Sequence, residues 1–349
     1  MGVVVVDAAQ RRKASIVVET STRMRPQEPQ INDRLLSLKA TKRRTCSPRA
    51  RSVLSCLEAG SVARSRMNDA YMKIATFNVN GITARLPSLL RWLEESQPDV
   101  VCLQELEVPQ ERFPEAAIRD AGYGVVWHGQ KSWNGVAILA RGREPVERRR
   151  ALPGDPEDLH SRYIEATVGD IIVGCLYLPN GNPAPGPKFD YKLRWFDRLI
   201  DHTSQLLASE AHAVIAGDYN VIPTDLDVYA PERWVDDALF RPEVREAYRR
   251  LVALGWVDAV RAMHPGKRVY TFWKYLRNAF ERDAGLRIDH LLLSASLARR
   301  LTHADVDRDA RAREKAIDHA PVWITMFSPC SMKWQLESCW ICFLSSEGW

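Results

Sequence analysis

Between residues 73 and 327, short apolar runs begin or end, one after another, on an oxygen-bearing side chain. KIATFN stops at Asn78, DVVCLQE at Glu105 and AVIAGDYN at Asp218 and Asn220, while RIDHLLLS opens around Asp289 and DHAPVWITMF at Asp318 and His319. Runs this short, rich in Val, Ile and Leu and bounded by turn residues, read as strands. GVAILA (135–140), YIEATV (163–168) and DIIVGCLYLP (170–179) follow closely enough to form hairpins. In contrast, LPSLLRWLEE (86–95) and KLRWFDRLIDHTSQLL (192–207) carry the 3.6-residue period of amphipathic helices. Hairpins mixed with helices disagree with a purely parallel βαβ array and predict one α/β domain with two packed sheets.

The ends differ in texture from this segment. Residues 1–71 hold 14 Lys and Arg against 6 Asp and Glu and show no sustained period, which predicts a basic, disordered extension or a start of translation at Met67 or Met72. The extension has no apolar core of a secretory signal, and its acidic residues count against an organellar one. Residues 328–349 form an irregular tail. The formal charge of +5 therefore belongs to the extension, and residues 72–327 are slightly acidic overall. Basic pI is poor grounds here for assigning nucleic-acid binding to the core.

Cysteines divide in the same way. Cys102 and Cys175 sit in apolar runs, as thiols do in a reducing compartment, while Cys46, Cys56, Cys330, Cys339 and Cys342 lie in the flanks. The CWIC at 339–342 falls short of the four ligands of a zinc site. The apolar runs VVVV and WICFL are too short to span a bilayer. An intracellular, cytoplasmic protein with no membrane partner is expected.

A single strand that ends in a carboxylate usually means a turn or a helix cap. Recurrence changes that reading. Strand ends on one edge of a sheet converge, and several acidic side chains in one cleft repel one another unless a cation is present. Oxygen ligands with one nearby histidine suit Mg²⁺ or Mn²⁺ better than zinc.

Eight segments in order, FNVNGITAR (77–85), CLQE (102–105), YLPNG (177–181), KFDYKLRWFDRL (188–199), GDYNVIPTDLDVY (217–229), YTFW (270–273), GLRIDHLLLS (285–294) and DHAPVW (318–323), resemble the exonuclease III family of abasic-site endonucleases. That family belongs to the endonuclease/exonuclease/phosphatase superfamily. The resemblance covers Met72 to about Phe327 and implies a four-layered α/β sandwich, two mixed sheets face to face with helices outside.

The resemblance also implies roles. Glu105 would be the principal metal carboxylate, with Asn78 beside it and Asp318 helping to hold the ion. Asp218 would position or deprotonate the attacking water and Asn220 would orient it. His319, held by Asp289, would contact the scissile phosphate, and Tyr177 would lie near the phosphate and leaving group. Lys188 and Lys192 near the start of a helix would contact phosphate or form a solvated face. Phe272, Trp273 and Leu286 would line an apolar pocket for a base-less sugar, or be core. Arg85 and Arg287 would bind the DNA backbone or buttress the site.

Lys274, where many relatives carry an acid, together with Ile317 and Glu107, departs from the family pattern without removing a catalytic group. The expected activity is Mg²⁺-dependent hydrolysis 5′ to abasic sites in double-stranded DNA by a monomer, with 3′ to 5′ exonuclease or 3′ end-cleaning activity. Two readings compete with it: a superfamily phosphatase or phospholipase acting on other phosphoesters, and a non-catalytic nucleic-acid-binding scaffold.

Overall fold

Alternation along the strands sets the layers. The computed structural model describes residues 70–314 and 316–328. The extension and the tail, with their cysteines, fall outside the described residues except at Ala70, Tyr71 and Ser328. In chain order the strands are β1 (Tyr71–Asn78), β2 (Val100–Gln104), β3 (Tyr123–His128), β4 (Val136–Arg141), β5 (Val146–Arg150), β6 (Tyr163–Val168), β7 (Ile171–Tyr177), β8 (Ala213–Asp218), β9 (Val257–Asp258), β10 (Asp289–Leu293), β11 (Leu301–Val306) and β12 (Val322–Phe327). The longer helices are α1 (Ile82–Ser96), α2 (Glu115–Asp120), α3 (Pro187–Ala208) and α4 (Pro242–Ala253).

Two six-stranded sheets result, ordered β11-β12-β1-β2-β4-β3 and β5-β6-β7-β8-β10-β9. Each has one parallel pair, β1 with β2 and β7 with β8, and is otherwise antiparallel. A parallel pair needs a crossover, and the two long helices α1 and α3 supply one each.

One side-chain set of each sheet fills the space between them: Ile74, Cys102 and Ile138 from the first meet Ile164, Cys175, Val214 and Leu291 from the second. The opposite set of the first sheet, including Ala75, Phe77 and Val101, packs on Leu89, Trp92 and Leu93 of α1. That of the second, including Ile215 and Leu292, packs on Trp195 and Phe196 of α3 and Leu251 of α4. The expected four-layered α/β sandwich is the observed one.

The sequence reading missed β3, β5, β9, β11, α2 and α4. Every residue of β5 is exposed, so its VERRR carries none of the alternation that reveals a half-buried strand. Helix α4 lies in a charged stretch, where Val244, Ala247, Tyr248 and Leu251 form a narrow buried stripe. Among the described residues no helix is long and apolar enough to cross a membrane.

Candidate active site

The same alternation that fills the interior delivers polar groups to its rim. Along β8, Val214 and Ala216 point between the sheets, and Asp218 is the next residue of that parity; along β10 the order is Leu293, Leu291, Asp289. In β7, Val173 and Cys175 precede Tyr177, and in β1, Ile74 and Thr76 precede Asn78. Register aligns them, with Tyr177 opposite Asp218 and Asp218 opposite Asp289. Asn78 and Asp218 come from different sheets, yet the Asn78 amide donates to Asp218 Oδ2 at 3.1 Å.

Glu105 follows β2 in the left-handed conformation, φ 52°, which turns its side chain to the same rim. The Asn78 amide donates to its Oε1 at 2.8 Å. The YTFW and DHAP segments meet through a bridge between Phe272 and His319, with Ala320 N–H donating to the Thr271 carbonyl at 2.7 Å. This brings His319 Nδ1 to 2.9 Å from Asp289 Oδ2 and leaves Nε2 3.9 Å from Asp218 Oδ2. Thr271 donates its hydroxyl to Asp289 Oδ2 at 2.6 Å. Asn220 donates its backbone N–H to Asp218 Oδ1 at 2.8 Å, and Asn180 donates to Asn220 Oδ1 at 3.1 Å.

Charges in this cluster do not balance. Burial pushes the Asp218 carboxyl up, to about 8, with Asp289 and Glu105 adding to the rise and His319 opposing it. Burial works against a charge on His319, but Asp289, Asp218 and Asp318 overcome it and raise the imidazole to about 10. Burial, then Glu105 and Asp218, hold the Tyr177 phenol protonated, well above its usual range. The site thus presents an imidazolium and a phenol as donors beside a carboxylate of raised basicity.

Asp218, Asp289 and His319 bring ligand atoms within 4.8 Å of one another and could hold a metal ion. Asp289 and His319 Nδ1 are engaged with each other, which suits a relay better than a six-oxygen cage. Glu105 and Asp318 open on the same cavity as Asp218. These three carboxylates, with one imidazole, are the hard-oxygen set that fits a small divalent cation. Asn78 differs from its expected part as a ligand. Its amide tethers Glu105 to Asp218, and its Oδ1 accepts the Asn80 N–H at 3.0 Å. Asn80 in turn donates to Asp318 Oδ1 at 3.1 Å.

The cavity, about 180 Å³, has an apolar wall of Phe272, Leu286, Ile288, Trp234 and Leu239 opposite the polar rim. Trp273, assigned by the sequence either to that wall or to the core, is fully buried in the core and donates its indole N–H to Asp283 Oδ1 at 3.2 Å. Adjacent residues of an extended segment face opposite ways, so Phe272 and Trp273 cannot both line one pocket. Trp234, Leu239 and Ile288 were missed. The first two stand in a loop with no period, whereas Ile288 is adjacent to Asp289 in the RID motif.

Two basic residues are also corrected. Lys192 is fully buried and cannot touch phosphate; it donates to the carbonyls of Asn180 at 3.0 Å, Asn220 at 2.5 Å and Ala238 at 3.1 Å. Arg287 is fully buried too, with Nε 2.6 Å from Asp227 and Nη1 2.8 Å from Asp258, so of its two expected roles it serves the buttress. Lys188 is exposed in the first turn of α3, outside the cavity. Arg85 faces an adjoining cavity of about 430 Å³ with Lys274, Arg311 and Arg313.

The sequence profile of the Endonuclease/Exonuclease/phosphatase family matches residues 75–328. Exodeoxyribonuclease III of Haemophilus influenzae is 37% identical over 264 residues, covering 72% of this chain and 98% of its own. An AP endonuclease structure from Archaeoglobus fulgidus superposes with a TM-score of 0.71 at 38% identity, covering 74% of this chain and 99% of the other. The 3′ phosphatase NExo from Neisseria, bound to a product DNA hairpin, gives 0.71 at 39% identity over 74% of this chain and 99% of the other. With sequence and fold matched over nearly the whole length of these relatives, the chain belongs to the endonuclease/exonuclease/phosphatase family, among the exodeoxyribonuclease III proteins.

Proposed function

We propose that this DNA repair nuclease is a Mg²⁺-dependent phosphodiesterase that cuts double-stranded DNA 5′ to abasic sites and leaves a 3′ hydroxyl. The same centre would trim or clean 3′ ends, and the protein would act as an intracellular monomer. One observation carries the reading: Asp218, Asp289, His319, Glu105 and Tyr177 converge beside an apolar pocket of about 180 Å³. That volume lies below the roughly 300–1,000 Å³ of pockets enclosing drug-sized ligands. It suits an extruded sugar without its base, selected by shape.

Asp218, as the carboxylate, takes the proton from water as the water oxygen bonds to phosphorus. Asn220 and Asn180 fix its direction. His319, charged and held by Asp289, which Thr271 holds in turn, donates Nε2–H to a phosphoryl oxygen. As the bond from phosphorus to O3′ breaks, the electron pair leaves on O3′, which takes a proton from the Tyr177 phenol to become the 3′ hydroxyl, and Tyr177 regains its proton from water. The 5′ phosphate stays with the abasic residue. Glu105 and Asp318 would hold Mg²⁺, which when bound supplies positive charge against the phosphoryl and leaving oxygens.

Purified protein is expected to nick a duplex carrying one tetrahydrofuran site on its 5′ side, to stop in EDTA and to recover with Mg²⁺. Cleavage indifferent to chelation, or none on tetrahydrofuran and 3′-phosphate duplexes alike, overturns the reading.

A further inference from the structure

Lys192 occupies a core position of α3. Phe189, Trp195, Phe196, Leu199 and Leu206 mark the buried stripe, and Lys192 falls on it, three residues from Phe189 and from Trp195. A buried ammonium is costly unless every donor is matched. Here three carbonyls match them, and each belongs to a different segment of the active site. Asn180 follows Tyr177 and donates its amide to Asn220. Asn220 holds Asp218 through its backbone N–H. Ala238 lies between Asp237 and Leu239, both of which line the cavity.

The segments are also tied to one another. Asn182 donates to Asp237 Oδ1 at 3.0 Å and accepts from Ala238 N–H at 3.1 Å. Gly181, between Asn180 and Asn182, is held at φ 89°, and a Cβ there would meet Lys192 Cδ at 2.7 Å and the Ala238 Cβ at 3.2 Å. The clamp leaves no room for a side chain.

On the reading of the chain as a phosphodiesterase, we propose that Lys192 is a positioning residue: its ammonium joins the three segments so that Asn220 and Asn180 aim the attacking water. It touches neither substrate nor metal. An apolar residue at this place in the stripe would keep the buried face of α3 apolar but would leave the three carbonyls without a common donor.

The test uses the full chain and a tetrahydrofuran duplex with Mg²⁺. A K192M variant with a cooperative thermal transition above the assay temperature is expected to lose roughly 100-fold in kcat, the effect of a displacement of about 1 Å at a reacting group. Its KM is expected to stay within about 3-fold, since no contact with DNA is removed. In an N220A background, K192M should cost only a few-fold more, because both act on the same water. Wild-type kcat in folded K192M, or the full loss repeated on top of N220A, overturns the proposal. If K192M does not fold, G181A, which crowds Lys192 without removing its charge, carries the test. A lowered kcat at preserved KM supports the clamp, and an unchanged kcat overturns it. Wild-type protein that fails to cut either duplex would defeat the functional reading instead.

Discussion

Two buried charge clusters sit two residues apart in the RIDH segment, and they are built on opposite terms. Arg287, with Arg261, faces Asp227 and Asp258, two cations against two carboxylates. Against the cost of burial, Arg287 and Arg261 hold Asp227 well below the usual carboxylate range, and burial with Arg287 nearby keeps His290 neutral, down to about 4. Around Asp289 the count is unequal, with Asp218, Asp289, Glu105 and Asp318 gathered about His319. In the first cluster the fold itself supplies the opposite charges. The second is left with an excess of carboxylate, which is how a catalytic centre differs from a structural ion network.

Removing members of the unbalanced cluster should erase activity with little effect on binding. D218N and H319A are each expected to lower kcat by about 10³- to 10⁴-fold, while affinity for the duplex, read by gel shift, changes by only a few-fold. A loss confined to affinity would break the comparison. In the balanced cluster the expected damage is to folding. R287M removes the guanidinium that Asp227 and Asp258 share, leaving Arg261 as the remaining cation on Asp227, and should cost about 3–5 kcal/mol in urea denaturation.

A smaller effect sharpens the contrast. The Asp218 carboxyl has its pKa raised on folding, so the folded state holds its proton while the unfolded state has lost it between pH about 4 and about 8. Its charge therefore weakens the fold progressively as pH rises through that window. In chelator, D218N should melt a few degrees above wild type near pH 8, roughly the shift that 1 kcal/mol gives a domain of this size. The gap should close as the pH falls toward 4, and equal melting temperatures at both pH values would refute the imbalance. Least of all, K188A should change duplex affinity by less than about 3-fold, since Lys188 is exposed on α3 away from the cavity.

Legibility followed the same division. Asn78, Glu105, Asp218, Asp289 and His319 could be read because strand parity and turn residues are local, and a strand that alternates apolar and small residues exposes the parity of its last carboxylate. Lys192 was misread because charge argued for solvent while its place in the stripe with Phe189 and Trp195 argued for the core; the period was the better guide. Trp273 was left open between pocket and core for want of a parity argument in a short extended segment. Trp234 and Leu239 could not be found at all, since nothing in an aperiodic loop says which cavity it will cover.

The sequence by itself determined the strands that carry the site, the two crossover helices and the set of oxygen-bearing side chains, because backbone periodicity and turn chemistry act over a few residues. Only the tertiary structure decided that Asn78 ties two carboxylates together, that Arg287 and Lys192 are buried supports, and which side chains wall the pocket. Those outcomes depend on which distant carbonyls and carboxylates meet each cation when the two sheets pack face to face, and a buried charge settles where its partners are.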